Sequence, residues 1–333
     1  MMTFYEPHSL DAAFHFAAEE YCMAHPVPGR DVVMIWQTGK CAMLGSNQIV
    51  QNEVDLELAK REGVQLVRRA SGGGTIYTDP GTLLLTLITP FPEGGDAKAI
   101  GRERLAKPIV AALKKLGVNA ELQGRNDMLV DGQKVSGLAQ RLSGGMLCSH
   151  CSLLVDADLS TLGKILTVDE AKIRAKGFTS VKSRVTNIAE HLPQRVTTAV
   201  FRRQLTEALK AILPLETAHF TEAELAGIEA IRLKKYANAN WTYRTNVQFT
   251  HHHEKRLPLG KVEIYMMIDK DRIRDLSIRG DFLSLEAIET LEAHLAGRPY
   301  DEQAVDAALD EMDLGLYLGG VSKRDFMAIM FAH

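Results

Sequence analysis

One short run of residues limits the fold of this chain more than any other feature. Residues 82–89 are almost all apolar or β-branched, and Gly81 and Pro90 bound them. Such a run is typical of a strand that is covered on both faces, and it is far too short to span a bilayer. The chain must therefore build a sheet around this segment and cover both faces of that sheet.

Helical and strand patterns alternate irregularly, which favours a mixed α+β fold over a regular βαβ array. The pair Asp131-Gly132 suits a tight type I′ turn, so residues 128–130 and a strand from Lys134 are predicted to form a hairpin. Further strands are predicted at residues 31–36, 41–44, 64–67 and 146–155. Helices are predicted from an N-cap at Ser9 to just before Pro26, and at residues 55–62, 102–116, 197–212 and 221–236.

The length of 333 residues exceeds the usual size of one domain, so two domains are expected. A charged helix gives way to small polar residues at 236–240, and the pattern then restarts. Strands are predicted beyond this point at residues 245–249, 261–268 and 272–278, and helices at 285–295, 302–311 and 323–331. We therefore predict a larger domain at residues 1–240 and a smaller one at residues 241–333.

Composition narrows the class of protein. The apolar fraction of 46% and charged fraction of 24% are those of a globular protein, and the net charge of −3 gives no general attraction to nucleic acid or anionic membrane. The first ten residues lack the pattern of a signal peptide. Four cysteines are too few for a disulfide framework. We expect a cytoplasmic protein with neither a nucleic-acid nor a membrane partner.

The densest chemical signal follows the predicted strand at 64–67. There Arg68 and Arg69 precede Ala70-Ser71-Gly72-Gly73-Gly74-Thr75. Consecutive glycines let the backbone approach a ligand and point several N–H groups at one anion, and arginines add donors that match phosphate or carboxylate. A glycine-rich turn with solvated arginines is the alternative, but the combination favours an anion site. The pattern matches neither the Walker loop nor the dinucleotide fingerprint.

A second cluster surrounds the predicted hairpin, with Gly124-Arg125-Asn126-Asp127 before it and Lys134-Val135-Ser136-Gly137 across it. Asp127 is a candidate Mg²⁺ ligand, because Mg²⁺ binds through one or two carboxylates plus substrate phosphates. Lys134 is placed to meet a developing negative charge. Spacing alone is equally consistent with a charged hairpin that faces water.

Two further groups are weaker candidates. Cys148 and Cys151 are three residues apart in a predicted strand, so they point to opposite faces and cannot chelate one metal. Cys151 as a nucleophile for acyl transfer is a separate hypothesis, against which stands a buried inert thiol. The triplet His251-His252-His253 has no acidic or cysteine partner at fixed spacing, so we interpret it as a polar face.

In these residues the chain resembles the lipoate–protein ligase A family. Residues 68–79 resemble the arginine-rich, triple-glycine lipoate-binding loop of that family, and residues 124–127 with 131–139 resemble its lysine-bearing hairpin. Residues 180–187 are similar to the adenylate-binding loop, and Gly280-Asp281-Phe282 matches a signature of the accessory domain. The matches occur in the family's order and cover most of the chain.

The resemblance implies a catalytic domain with the fold shared by biotin and lipoate protein ligases, followed by a small α/β accessory domain. It implies an enzyme that uses ATP and Mg²⁺ to convert lipoate to lipoyl-AMP. The lipoyl group would then pass to a lysine of a carrier domain in a 2-oxoacid dehydrogenase acyltransferase component or in the glycine cleavage H protein. We also expect both loops to close over the adenylate and the accessory domain to move aside for the carrier.

The resemblance also assigns residues. Lys134 is the catalytic residue, which polarises the acyl carbonyl without itself being acylated, and Asp127 is the Mg²⁺ candidate. The residues implied to bind ATP and adenylate are Arg69, Gly74, Thr75, Ile76, Tyr77, Lys134, Ser180, Val181 and Arg184. The residues implied to bind lipoate are Arg69, Ser71, Gly72, Gly73, Lys134 and Gly137.

The chain departs from the family at two places near the expected acyl site. Ser149-His150-Cys151-Ser152 stands where the family usually has His-His-Gly-Thr, and Pro80-Gly81-Thr82 stands where it usually has Leu-Gly-Asn. The preference between lipoate and octanoate therefore stays open. Two other functions also stay open: an octanoyl- or lipoyltransferase that uses a preformed acyl donor and Cys151, and a non-catalytic protein that binds lipoate or carrier domains.

Overall fold

The computed structural model describes residues 1–124, 126–167, 185–244 and 249–332. Ser180, Val181, Arg184 and most of the strand predicted at 245–249 lie outside these ranges.

The described elements alternate irregularly, as the α+β prediction requires. The strands are β1 (Met2–Tyr5), β2 (Asp31–Trp36), β3 (Cys41–Leu44), β4 (Gln65–Arg68), β5 (Ile76–Thr78), β6 (Thr82–Pro90), β7 (Ala120–Gln123), β8 (Asp127–Val130), β9 (Gln133–Ser143), β10 (Met146–Leu154), β11 (Leu215–Ala218), β12 (His251–Leu257), β13 (Gly260–Asp269) and β14 (Arg272–Gly280). The helices are α1 (Ala12–Ala24), α2 (Val50–Glu53), α3 (Leu56–Arg61), α4 (Ala97–Gly101), α5 (Lys107–Lys115), α6 (Leu159–Ile165), α7 (Thr198–Lys210), α8 (Glu222–Ile231), α9 (Ala239–Tyr243), α10 (Ile288–Leu295), α11 (Glu302–Asp310), α12 (Leu314–Leu318) and α13 (Lys323–Met330).

An eight-stranded sheet in the order β11-β1-β2-β6-β10-β9-β8-β7 forms the centre of the fold. Strand β1 runs parallel to β2 and β11, and the remaining neighbours are antiparallel. Strand β6 lies in the interior of this sheet, and every residue from Thr82 to Thr89 is buried. The central strand that the apolar run predicts is therefore confirmed.

Helices cover both faces of β6. Leu83, Leu85 and Leu87 pack with α5 and α7, while Leu84 and Ile88 pack on the other face with α1. Each of these buried side chains contributes about 2 kcal/mol of hydrophobic stabilisation. The alternation along one strand thus fixes which residues face α1, the side on which the polar chain described below also lies.

A small sheet, β4-β3-β5, lies beside the main one and carries the glycine-rich segment between β4 and β5. Arg68, at the end of β4, is fully buried and donates to backbone carbonyls instead of facing solvent. Its acceptors are the carbonyl oxygens of Gly45, Ser46, Gln48, Trp241 and Thr242, at 2.7–3.1 Å. The expectation that Arg68 supplies donors to an anionic ligand is therefore wrong: this guanidinium organises the protein backbone.

The C-terminal part has its own core. Strands β12, β13 and β14 form a meander, and apolar residues of this sheet pack against α10, α11, α12 and α13. The predicted boundary between residues 240 and 241 falls inside α9. Since Trp241 and Thr242 accept hydrogen bonds from Arg68, α9 is tied to the larger unit, and the boundary stays a prediction.

Sequence and structure differ at some element ends and in several short elements, since the strands β1, β5, β7 and β11 were not predicted. The first helix begins at Ala12 with Asp11 as its N-cap, because the Asp11 carboxylate accepts from Ala13 N–H; Ser9 instead accepts from Asp11 N–H. Strand β12 was not predicted, since its residues His251–Leu257 are polar and mostly exposed, with no alternation of apolar side chains. The type I′ turn is confirmed, with positive φ at both Asp131 and Gly132.

Among the described residues no helix combines the length and the apolar character that crossing a membrane requires.

The buried guanidinium of Arg68 generates a stability prediction. We expect Arg68→Lys to lower the free energy of unfolding by about 3 kcal/mol, because an ammonium cannot replace the planar fork and leaves buried carbonyls unsatisfied. Urea denaturation followed by tryptophan fluorescence measures this change, since Trp241 contacts Arg68 directly.

Arg61→Lys is the matched control, because Arg61 is exposed on α3 and its replacement should change the free energy by less than about 0.5 kcal/mol. Equal stabilities of the two variants would show that Arg68 does not hold this part of the fold together.

Candidate active site

A cavity of about 1080 Å³ opens where the main sheet, the glycine-rich segment, the β8–β9 hairpin and the C-terminal unit meet. One part of its wall is apolar and contains Phe16, Trp36, Met43 and Leu84. Another part is polar and contains Asn126, Asp127, Lys134 and the backbone of Gly137. A ligand with a long apolar chain and an anionic head matches this division.

Strand register relates the two parts of the wall. Gly137 lies opposite Ser152, and Ala139 lies opposite His150, whose ring is 6.1 Å from that of Phe16. The two pairs are two residues apart, which is about 7 Å along a strand. The apolar part of the wall therefore begins within the length of a short acyl chain from the polar part.

Lys134 and Asp127 face each other at the polar wall. Lys134 Nζ and Asp127 Oδ1 are 2.6 Å apart, and roughly a fifth to a quarter of each side chain is exposed. A Cβ atom at position 137 would lie 2.8 Å from Lys134 Nζ, so glycine there leaves the space that the ammonium occupies. The Lys134 carbonyl accepts from Thr186 N–H at 3.1 Å, which places the end of the segment at 180–187 beside this lysine.

Arg69 is buried in the cavity wall and clamps the glycine-rich segment. Its Nε donates to Ser71 Oγ at 3.1 Å, and its Nη2 donates to the carbonyls of Gly72 and Gly74 at 2.9 and 2.8 Å. Its Nη1 donates to Met43 O at 2.8 Å. In this state the guanidinium shapes the loop from within, whereas the sequence analysis expected its donors to face an anion.

The glycines allow the C-terminal unit to approach the loop closely. A Cβ at Gly72 would meet Ser284 N at 2.6 Å, and one at Gly73 would meet the Leu283 side chain at 2.9 Å. Gly73 N–H donates to Phe282 O at 2.9 Å. The expected close approach of the loop to another group is therefore present, but the group is the segment after Gly280-Asp281-Phe282.

A buried chain of polar side chains behind the loop was missed by sequence reasoning. Trp36 Nε1 donates to Thr86 Oγ1 at 3.0 Å, and Thr86 donates to Glu19 Oε1 at 2.7 Å. Glu19 lies 3.1 Å from His150 Nδ1, and His150 Nε2 lies 2.8 Å from Ser71 Oγ. The indole is only a donor, so the direction of the chain as far as Glu19 is fixed.

The Glu19 carboxyl carries a charge within this chain of polar side chains. Burial alone would raise its pKa, but the charges and hydrogen bonds of His150, Thr86 and Arg141 outweigh burial, and the pKa is lowered. A carboxylate is therefore present at neutral pH, and it orients the His150 ring. The sequence indicated only two members of this polar chain, namely Ser71 in the glycine-rich segment and His150 in the segment that departs from the family pattern.

The two cysteines of β10 point to opposite faces, as predicted. Cys151 belongs to the core under α5 and α7, and Cys148 belongs to the core under α1. Cys148 comes within 4.8 Å of Glu19 and His150 ligand atoms, but hydrogen bonds already occupy both ring nitrogens of His150. Burial raises the pKa of the Cys151 thiol to about 12, so this thiol is protonated and a poor nucleophile.

The histidine triplet, which the sequence indicated as a polar face, lies beside two carboxylates. His252 Nε2 lies 3.7 Å from Glu254 and 3.9 Å from Glu263, which comes from the neighbouring strand β13. Lys261 Nζ bridges both carboxylates at 2.7 and 2.9 Å. The ammonium offsets one of the two carboxylate charges, and the description of β12 as a polar face holds.

The structure brings most of the residues assigned by resemblance into one cavity wall, where they include Arg69, Gly73, Gly74, Thr75, Ile76, Asp127, Lys134 and Gly137. Ser71 and Gly72 lie buried behind that wall. Tyr77 points away into the small core around β3, and burial raises the pKa of its hydroxyl. Ser180, Val181 and Arg184 fall beyond the described ranges.

Two protein families match this chain. Residues 11–210 match the family described as lipoyl protein ligase A/B catalytic domain. Residues 246–330 match the family described as bacterial lipoate protein ligase C-terminus. A lipoate-protein ligase of Bacillus subtilis, LplJ, is 32% identical over 324 residues, which cover 96% of this chain and 97% of the relative.

Solved structures share the fold. P. falciparum LipL1 in complex with lipoate has a TM-score of 0.75 at 18% identity and covers 98% of this chain and 96% of its own. A bipartite lipoate protein ligase with its E2 lipoyl domain from Thermoplasma acidophilum has a TM-score of 0.64 at 24% identity and covers 75% of this chain and 98% of its own. A lipoate-protein ligase A bound with ATP has a TM-score of 0.62 at 23% identity and covers 73% of this chain and 97% of its own. These likenesses confirm the predicted fold class.

The burial of the thiols generates a second prediction. All four cysteines are buried and reduced, so we expect no reaction of the native protein with Ellman's reagent at about pH 8 within minutes, and four reactive thiols in guanidinium chloride. A thiol that reacts rapidly in the native protein and disappears in Cys151→Ser would contradict the inert role assigned to Cys151.

Proposed function

The chain belongs to the lipoate–protein ligase family, and we propose that it activates lipoate with ATP and attaches the lipoyl group to a lysine of a carrier domain. The first step yields lipoyl-AMP and pyrophosphate, and the second yields the lipoylated carrier and AMP. One observation carries this proposal: Lys134, the glycine-rich segment and an apolar wall line the same cavity.

Adenylation requires two anions to approach each other. The lipoate carboxylate attacks the α-phosphorus of ATP, a new C–O–P linkage forms, and the bond to pyrophosphate breaks. The Lys134 ammonium offsets the repulsion between the reactants and stabilises the charge that develops during attack. Asp127 holds this ammonium at the cavity wall before the substrates bind.

Transfer places a different demand on Lys134. The amine of the carrier lysine attacks the acyl carbonyl of lipoyl-AMP, and negative charge develops on the carbonyl oxygen until AMP leaves. Lys134 donates a hydrogen bond to that oxygen and is not itself acylated. The apolar residues Phe16, Trp36 and Leu84 hold the lipoyl chain while both steps occur.

Asp127 fits the role of a Mg²⁺ ligand. It offers a carboxylate in the cavity wall, with 20% of its side chain exposed, and Mg²⁺ favours one or two carboxylates together with phosphate oxygens. When bound, the ion would neutralise phosphate charge. Lys134 holds one of the carboxylate oxygens in this structure, so the Asp127–Lys134 pair must adjust when the nucleotide enters.

The carrier and the domain division follow from the same proposal. A relative in Thermoplasma acidophilum was solved with its E2 lipoyl domain, which supports lipoyl domains as acceptors. We extend this to the acyltransferase components of 2-oxoacid dehydrogenases and to the glycine cleavage H protein. Residues 1–240 would carry the chemistry and residues 241–333 the accessory role, in the cytoplasm where ATP is available.

In this structure the C-terminal unit occupies a backbone N–H group of the glycine-rich segment that a bound ligand would need. Gly73 N–H, which a ligand would need, donates to Phe282 O, and Leu142 N–H donates to Leu285 O at 2.7 Å. We therefore propose that the adenylate displaces these contacts, that the loop closes over it, and that the accessory unit moves aside for the carrier. Cys151 gives no support to a transferase that uses a thioester, since its thiol is buried and protonated.

The role of Lys134 can be tested by lipoate-dependent exchange of radioactive pyrophosphate into ATP without a carrier. We expect Lys134→Ala to lower exchange by at least about 100-fold, because the ammonium that offsets anionic repulsion is lost. Lys114→Ala is the control, since Lys114 is exposed on α5. Exchange by Lys134→Ala within about threefold of the control would overturn the role.

Gly137→Ala tests the position of the ammonium without removing it. The new methyl group would lie 2.8 Å from Lys134 Nζ, so Lys134 must shift. We expect exchange to fall about tenfold, because a displaced ammonium stabilises the developing charge less well. Gly163→Ala is the matched control, since nothing lies within 4 Å of its Cβ position. Equal rates of exchange in both variants would contradict this placement.

A further inference from the structure

We propose that Arg256, in the C-terminal unit, binds the β- and γ-phosphates of ATP and later the pyrophosphate product. This inference rests on the proposed function, and it adds a phosphate-binding residue that the motifs of the chain do not indicate. It makes the C-terminal unit part of the adenylation site.

Arg256 lies on the turn that covers the cavity. It is the penultimate residue of β12, and the turn that follows it, together with Gly260, contributes to the same cavity wall as Lys134 and Asp127. Gly260 packs against the next segment, because a Cβ there would lie 2.9 Å from Phe282 N. Arg256 therefore lines the cavity in which the reactants are proposed to meet.

Hydrogen bonds connect this turn to the glycine-rich segment. Lys261 N–H, opposite Arg256 in the β12–β13 register, donates to Asp281 Oδ1 at 2.6 Å. Asp281 precedes Phe282, whose carbonyl accepts from Gly73 N–H at 2.9 Å. Asp281 and Phe282 therefore link the strand end that carries Arg256 to the loop that the sequence indicates as an anion site.

Among the described residues, the other cationic side chains of the cavity wall already have protein partners. Lys134 is paired with Asp127 at 2.6 Å, and Arg69 donates hydrogen bonds to its own loop and to Met43. ATP and lipoate together bring several negative charges into this space, and uncompensated charge is costly in a partly enclosed site. Arg256 is a further cationic side chain in the described part of the wall, and a guanidinium matches phosphate oxygens in a bidentate way.

The Arg256 side chain is partly open to solvent. Its Nη1 lies 3.7 Å from Asp281 Oδ2, and 32% of its side chain is exposed, against 7% for Asp281. An ion pair of this length and exposure contributes about 1 kcal/mol at most. A phosphate chain that enters the cavity can therefore reach this guanidinium, and its multiple negative charges compete with the Asp281 carboxylate for it.

Arg256 would bind phosphate only in the adenylation step and not in the transfer step. After lipoyl-AMP forms, the β- and γ-phosphates have left as pyrophosphate, so Arg256 has no phosphate to contact during transfer. A purely structural Arg256 that only pairs with Asp281 would instead affect folding and leave the affinity for nucleotide unchanged. The two roles therefore predict different kinetic constants.

Pyrophosphate exchange distinguishes the phosphate-binding role of Arg256 from a purely structural role. In Arg256→Gln we expect the KM for ATP and the KM for pyrophosphate to rise about tenfold each, while the KM for lipoate changes less than about twofold. Arg256→Lys should recover part of the loss, because it restores the charge without the fork. Arg274→Gln is the matched control, since Arg274 is exposed on β14 of the same sheet.

Thermal unfolding of each variant shows whether the C-terminal unit stays folded. A KM for ATP in Arg256→Gln that equals the Arg274→Gln value would overturn the inference, as would equal losses in Arg256→Gln and Arg256→Lys. A wild-type protein without lipoate-dependent exchange would instead refute the proposed function. The two failures are therefore distinguishable in one assay.

Discussion

The buried guanidinium of Arg69 determines the shape of the glycine-rich segment, and the rest of the site depends on that shape. Its hydrogen bonds to Gly72 and Gly74 curl the loop so that Gly73 N–H points at Phe282 O. A buried guanidinium without acceptors would be strongly destabilising, so the loop and the arginine stabilise each other. The accessory unit docks on the surface that results.

Three polar groups of the site are held by partners within the protein. Lys134 is held by Asp127, Gly73 by Phe282, and Ser71 by His150. Substrates therefore replace internal partners instead of entering a set of vacant donors. This arrangement lowers the cost of keeping charges in a partly enclosed cavity, and it couples nucleotide binding to the position of the accessory unit.

Local signals predicted the elements well, and contacts between distant residues account for what was missed. The strand at Thr82–Thr89 and the Asp131-Gly132 turn depend on neighbouring residues, so the sequence alone indicates them. The hydrogen bond between Glu19 and His150 joins residues 131 positions apart and has no local pattern. Arg68 and Arg69 look alike in the sequence, yet of the two only Arg69 lines the cavity. Side chains alternate between the faces of a strand, so at the end of β4 Arg68 points to the opposite side, where it donates to backbone carbonyls.

The most direct test is a crystal structure with a non-hydrolysable lipoyl-adenylate analogue. We expect Lys134 Nζ to move from Asp127 to the acyl–phosphate linkage, and Gly73 N–H to leave Phe282 and contact the ligand. The lipoyl chain should lie against Phe16 and Trp36. An analogue that binds in this cavity while the Lys134–Asp127 and Gly73–Phe282 contacts both persist would contradict the central claim that substrates replace internal partners.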